Sequence, residues 1–101
     1  MDNSQKNPQE DLQIQKEILA YLNAKQDNRA TSQEIIAHVK CTSELLCKNI
    51  AFLNEQKFIE GPAFTEELVT SGGENNFRSS TRITEAGQER FIEIIRKEQE
   101  R

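Results

Sequence analysis

The sequence predicts an α+β domain organised around a helix-turn-helix, and two neighbouring segments carry this prediction. Thr31 and Glu34 form a capping-box pattern, in which the hydroxyl accepts the Glu34 amide and the carboxylate reaches back to the Thr31 amide. Thr42 is the next candidate N-cap, and an apolar stripe at i, i+4 and i+7 follows it: Leu46, Ile50 and Leu53. A short helix, a tight turn and a second helix are the outline of a helix-turn-helix.

The composition favours one small domain. A chain of 101 residues can build one hydrophobic core but not two. Hydrophobic residues make up 35% and charged residues 30%, which fits a small helical domain with polar tails. The net charge of −4 is unusual for a nucleic-acid binder, because cationic contacts to phosphates dominate that affinity. Binding to DNA would therefore depend on the local charge of the docking face.

The chain carries no signal that predicts export or membrane insertion. It has no apolar run of the roughly 18 residues that a transmembrane helix needs. Its first ten residues, MDNSQKNPQE, lack the apolar segment of a signal peptide. Two cysteines without an export signal indicate reduced thiols, so we expect a cytoplasmic protein with no membrane partner.

Local start and stop signals predict four helices, over residues 8–24, 32–40, 43–56 and 84–97. Asn7 is the expected N-cap of the first helix, with Pro8 at its first position. Thr84 caps the last helix. Lys57 stands where a helix C-terminus often has glycine, which predicts a left-handed backbone conformation there. Residues 1–7 are expected to be a disordered tail, and residues 98–101 a frayed one.

A β-hairpin is expected across residues 58–83. Thr65–Val69 and Phe77–Ile83 have the composition of strands, and a loop rich in glycine and asparagine separates them. The hairpin would have a mobile tip. On its return strand Arg78 and Arg82 are four residues apart, so their side chains would point to the same side.

Several motifs together resemble the winged helix-turn-helix regulators. They are the S/T-x-x-E-I start at Thr31–Ile35, the cap at Thr42, Leu53, the exit Phe58-Ile59, and Ile83-Thr84-Glu85-Ala86-Gly87. The last is similar to the "I/L-T-x-x-G" that leaves the wing and opens the final helix in MarR- and PadR-like proteins. The resemblance covers roughly residues 10–96. It implies a single winged-helix domain over residues 8–97, with a three-helix core, a β-hairpin wing and a C-terminal helix.

The function implied by this resemblance is that of a small DNA-binding transcriptional regulator. The helix at 43–56 would enter the major groove of double-stranded DNA, and the wing would flank the backbone. The expected base-side residues are Ser43, Glu44, Cys47, Lys48 and Asn49, and the expected phosphate contacts are Arg78 and Arg82. The two arginines have a second interpretation, as part of a solvated and charge-balanced edge strand.

An apolar flank on the same helix supports a different function. Leu45 and Phe52 lie seven residues apart, where a nucleic-acid binder is normally polar. They either pack beneath the wing or the first helix, or they meet a protein partner. In the second case the chain would be a winged-helix protein-interaction module that does not bind DNA.

Apolar residues also lie off the main stripes of the first and last helices. They are Leu12, Leu19 and Ile92. They either belong to the core of one chain or form a homodimer interface, since isologous dimers are the commonest assembly.

The sequence contains no motif of an enzyme, a cofactor site or a metal site. There is no phosphate loop, no dinucleotide fingerprint and no H-E-x-x-H pattern. His38, Cys41 and Cys47 do not have the paired spacing of a zinc framework, and no fourth ligand is evident. We therefore expect no catalysis, no cofactor and no metal.

Overall fold

Residues 8–100 are described by the computed structural model, and they form five α-helices and a three-stranded antiparallel sheet. The helices are α1 Pro8–Ala24, α2 Ser32–His38, α3 Ser43–Glu55, α4 Glu66–Thr70 and α5 Glu85–Gln99. The strands are β1 Arg29–Ala30, β2 Ile59–Glu60 and β3 Thr81–Ile83. The α+β class is as predicted, although α4 was not expected.

The predicted N-caps of α2 and α3 are confirmed. At Thr31 the hydroxyl accepts the Glu34 amide at 3.2 Å, and the Glu34 carboxylate accepts the Thr31 amide at 2.9 Å. The Thr42 hydroxyl accepts the Leu45 amide at 3.2 Å. Helix α2 ends two residues earlier than predicted, because Val39 turns to an extended conformation and is buried. Asn7, the predicted cap of α1, and the tail 1–7 lie outside the described residues.

The core lies between α1, α3 and the inner face of the sheet. Helix α1 contributes Ile18 and Leu22, and α3 contributes the predicted stripe, all of them completely or almost completely buried. Helix α5 packs along α1 and adds Ile94. It runs to Gln99, so residues 98 and 99 are helical, whereas Arg101 lies outside the described part.

The turn between α3 and β2 is hydrogen-bonded to the start of α5. Lys57 has a φ of +65°, which confirms the predicted left-handed residue. The Thr84 amide donates to the Phe58 carbonyl at 3.0 Å, and the Thr84 hydroxyl lies 2.7 Å from the Lys57 carbonyl. Gly87 follows one turn later and lies flat against the Phe58 carbonyl, where a Cβ would come within 2.0 Å of the oxygen. The I-T-x-x-G motif is therefore a packing device as well as a helix start.

The sheet has the order β1-β3-β2, with the central strand β3 antiparallel to both neighbours. Thr81 and Ile83 point into the core, and Arg82 points out between them. The register places Arg82 opposite Arg29 on one side and opposite Glu60 on the other.

The predicted hairpin is wrong in its first strand. Thr65–Val69 is not extended, because Glu66–Thr70 forms helix α4 and the Thr65 hydroxyl caps it by accepting the Leu68 amide at 3.1 Å. Two acidic residues in its first turn suit the positive end of the helix dipole. Phe64 and Leu68, four residues apart, then pack together against the core, and this tertiary contact outweighs the strand preference of Val69.

The return strand is also shorter than predicted. Phe77–Ser79 is a 3₁₀ turn, and only Thr81–Ile83 is extended. The preceding loop is bonded to the start of α2: the Gln33 amide donates to the Glu74 carbonyl at 3.2 Å, and the Glu74 amide donates to the Ser32 hydroxyl at 2.9 Å. The segment expected to be the mobile tip of a wing is thus anchored to the helical core.

Candidate functional site

The solvent-facing side of α3 is the surface on which most of the predicted site residues converge. We call this surface the α3 face and define it by the exposed residues of α3, which are Glu44, Lys48, Ala51, Phe52 and Glu55. Helix α1 borders it on one side and α4 on the other. Of the predicted base-side residues, Glu44 and Lys48 lie on the face itself, whereas Ser43 and Cys47 are half-buried at its margin.

Lys48 is the one cation of the α3 face, and an acid from α1 holds it. Its ammonium group lies 3.1 Å from the Asp11 carboxylate. Partial burial acts to raise the pKa of Asp11, but hydrogen bonds from Asn49 and Lys48 outweigh it and leave that pKa below its ordinary value. The carboxylate is therefore ionised at neutral pH. The charge of Lys48 is already partly compensated before any partner arrives.

Asn49 was predicted to lie near DNA bases, and the structure contradicts this. The residue is almost completely buried. Its amide nitrogen donates to the Leu45 carbonyl at 2.9 Å and to Asp11 at 3.1 Å, while its oxygen accepts from Gln15 at 2.8 Å. The physical reason is its position: residue 49 stands three after Leu46 and so points inward with the apolar stripe. Asn49 joins α3 to α1 and does not reach solvent.

Cys47 lies on the side of α3 that faces α4. Burial raises the pKa of its thiol, and the nearby Glu66 carboxylate raises it further. Glu66 and Glu67 are both exposed. Helix α4 therefore adds acidic groups beside the α3 face.

The charge of the whole region is negative. Glu44 and Glu55 lie on the α3 face, Asp11 and Glu66 lie along its borders, and Lys48 is the opposing cation. A phosphate backbone approaching this surface would meet more carboxylates than ammonium groups. Since phosphate contacts supply most of the affinity for DNA, the α3 face is poorly suited to a duplex.

The two predicted phosphate contacts do not share a strand. Arg82 lies in β3 and its guanidinium pairs with Glu60 on β2. Arg78 lies in the 3₁₀ turn, where its amide donates to the Asn76 side chain at 3.0 Å. Within residues 8–100 the side chain of Arg78 has no acidic partner, so it is the freer of the two arginines.

The apolar flank of α3 is divided between two environments. Leu45 is half-buried and lines a groove of about 300 Å³ between α1 and the turn that joins α2 to α3. Phe52 is 39% exposed, so the rest of the chain covers it only in part. The groove is lined by Glu10, Gln13, Ile14, Glu17, Lys40, Cys41, Thr42 and Leu45. Sequence reasoning missed it, because its walls are far apart in the chain.

The three residues predicted to form a dimer interface are placed differently. Leu19 is completely buried in the core of the single chain, so it is not free to contact a second copy. Helix α5 packs along α1, and Leu19 belongs to the core that the two helices share with the rest of the chain. Leu12 and Ile92 remain 37% and 51% exposed. The homodimer itself stays a prediction.

The cysteines and the histidine do not form a common site. Both Cys41 and Cys47 are free thiols. The His38 ring stacks on Tyr21 with 4.2 Å between ring centroids. Among the residues that the structure describes, no three histidine, cysteine or acidic side chains come together as metal ligands. Over the same part of the chain, every helix is too short or too polar to cross a membrane.

The chain matches no protein-family model, no curated protein and no solved structure.

Proposed function

We propose that this chain is a winged-helix protein-interaction module in which the α3 face docks on a positively charged segment of another protein. The α2–α3 unit, the β2–β3 pair and α5 follow each other in the winged-helix order. The single observation that carries the function is the composition of the face. It presents an exposed phenylalanine among carboxylates, and its lysine is held by Asp11.

The binding energy for DNA and for a protein partner comes from different groups, and the α3 face suits the second. For DNA, each neutralised phosphate contributes through counterion release, and the α3 face offers one compensated cation for this purpose. For a protein, the energy comes from a few anchors such as buried aromatic side chains, and surrounding charges set specificity and association rate. Phe52 can serve as the aromatic anchor. Glu44 and Glu55 supply the surrounding charges for a partner that carries lysine or arginine.

Binding to DNA is the second candidate, and Arg78 together with the sheet favours it. Arg78 is exposed and unpaired within the described part of the chain, and Arg29 and Arg82 lie opposite each other on the sheet. In this reading the small DNA-binding regulator keeps Lys48 near the bases, and Arg78 and Arg82 on phosphates. Because the α3 face is acidic, DNA binding is the weaker candidate of the two functions.

A titration with DNA separates the two functions. We expect no detectable binding of a labelled random duplex at about 0.15 M salt, because two of the three predicted contact cations, Lys48 and Arg82, are paired with carboxylates. The measurement is fluorescence anisotropy at several salt concentrations. If a homodimer used Lys48, Arg78 and Arg82 of each subunit, about six cations would give a log–log salt slope of about −5, and Arg78→Ala would flatten it by roughly one unit per subunit. Binding with this salt dependence would support the DNA candidate and contradict the proposal.

The proposed docking is tested with Phe52→Ser. A protein captured by the wild type should be lost with this variant and kept with Arg78→Ala, which is the matched control at another exposed site. The captured protein, once purified, should bind the wild type at least about tenfold more tightly than Phe52→Ser, as expected for an aromatic anchor. Equal affinities would exclude Phe52 from the interface. Circular dichroism of both variants checks that they fold.

A further inference from the structure

We propose that the groove between α1 and the α2–α3 turn receives an apolar side chain of a basic amphipathic helix, whose second anchor packs on Phe52. This inference rests on the proposed function and names the class of partner. It concerns a part of the surface that neither the predicted DNA contacts nor the predicted dimer residues include.

The floor of the groove is apolar. Ile14 of α1 is buried, and Leu45 and Cys41 are half-buried beside it. Burial raises the pKa of the Cys41 thiol, and the carboxylates of Glu17 and Glu10 raise it further. The thiol is therefore protonated and uncharged at neutral pH, and it behaves as a small hydrophobic group. An apolar side chain is the group that such a floor accommodates.

The rim of the groove is mainly acidic. Glu10 and Glu17 are two turns apart on α1 and so lie on the same side of the helix. Both line the groove together with Cys41, so their carboxylates lie at its edge. Lys40 is the cation on the opposite wall. A lysine or arginine flanking the apolar anchor would find these two carboxylates at the rim.

The separation of Leu45 and Phe52 along α3 favours a helix as the partner. Leu45 in the groove and Phe52 on the α3 face are seven residues apart, which is about 10 Å along the helix axis. Anchors at positions i and i+7 of a partner helix have the same separation, and this is the usual pattern of an amphipathic helix in a groove. The Lys48–Asp11 pair lies between the two anchor points.

The acidic rim disfavours two other occupants of the groove, a nucleic acid and a second copy of this chain. A nucleic acid would place phosphates beside Glu10 and Glu17. A second copy of this chain carries a net charge of −4 and would bring more acid to an acidic rim. A basic helix is the partner whose charge complements the groove and whose shape fits the two anchors.

The test uses a synthetic amphipathic peptide of about 18 residues, or five helical turns, with leucines on one face and lysines beside them. We expect it to bind the wild-type protein, and the same peptide with glutamates for lysines not to bind. The double variant Glu10→Gln/Glu17→Gln should weaken binding of the lysine peptide by about two- to fivefold per carboxylate. Leu45→Ser should weaken it by about tenfold.

The matched control is Glu85→Gln/Glu89→Gln on α5, which changes the net charge equally and leaves the groove intact. Equal weakening by the two double variants would show that only net charge attracts the peptide, and would overturn the proposed site. A partner that requires Phe52 but ignores the Glu10 and Glu17 changes would overturn the groove and leave the proposed function standing. Peptide binding that needs Glu10 and Glu17 but is unaffected by Phe52→Ser would overturn the second anchor, and with it the role of Phe52 in the proposed function.

Discussion

Replacing Leu19 with glutamate should unfold the protein and not separate a dimer. Leu19 lies on α1 and is completely buried in the core. Truncating such a leucine to alanine typically costs about 2–5 kcal/mol, and an unpaired buried carboxylate adds to this cost. Small domains have a free energy of unfolding of about 5–15 kcal/mol, so the variant should lose most of its stability. Urea denaturation followed by circular dichroism measures the loss.

Leu12→Glu is the control for this experiment, because it makes the same change on the same helix at a residue that is 37% exposed. It should fold with nearly unchanged stability, and its size in solution tests the predicted homodimer. A Leu19→Glu protein that is folded and monomeric, alongside a dimeric wild type, would contradict the packing described above.

Gly87→Ala should destabilise the protein although alanine favours helices. Intrinsic propensity alone would stabilise this helical position by about 1 kcal/mol. The added Cβ would however lie 2.0 Å from the Phe58 carbonyl oxygen and 2.8 Å from Ile83. Because this oxygen also accepts the Thr84 amide, the strand and the helix cannot separate without loss of that bond. We expect a net loss of about 1–3 kcal/mol or more, measured by thermal or urea unfolding.

Gly72→Ala is the comparison for Gly87→Ala. Gly72 has a φ of +92° and open space around the position of a Cβ, so it tests backbone strain without a clash. Its cost should be about 1–2 kcal/mol. A stabilised Gly87→Ala variant would mean that α5 does not lie against the Phe58 carbonyl.

The helices were predictable because their signals are local. A threonine hydroxyl capping an amide three residues later needs only four residues, and Thr31, Thr42 and Thr84 all act in this way. The left-handed Lys57 followed from the same kind of reasoning. Thr65 caps α4 in the same way, but the strand-like composition of residues 65–69 predicted a strand there, which is wrong. The spacing of Phe64 and Leu68 was the information that favoured a helix.

The site was less predictable because its electrostatics depend on distant pairs. Lys48 is compensated by Asp11, which is 37 residues away in the chain, and Arg82 by Glu60 through the strand register. No periodicity reveals either pair. The burial of Asn49 was different, since its spacing from Leu46 and Leu53 already placed it on the inner stripe. Phe52 belonged to an apolar flank that the sequence allowed either to pack inside the domain or to meet a partner, and the structure leaves it 39% exposed.

Chemical-shift mapping of the ¹⁵N-labelled protein tests the docking role of the α3 face most directly. The protein is titrated with the lysine-leucine peptide at about 0.15 M salt, and in a parallel sample with a random DNA duplex. We expect the peptide to shift the amides around Cys41, Leu45 and Phe52, and the duplex to shift none. Shifts at Lys48 and Arg78 with the duplex, and an unperturbed α3 with the peptide, would contradict the proposed function.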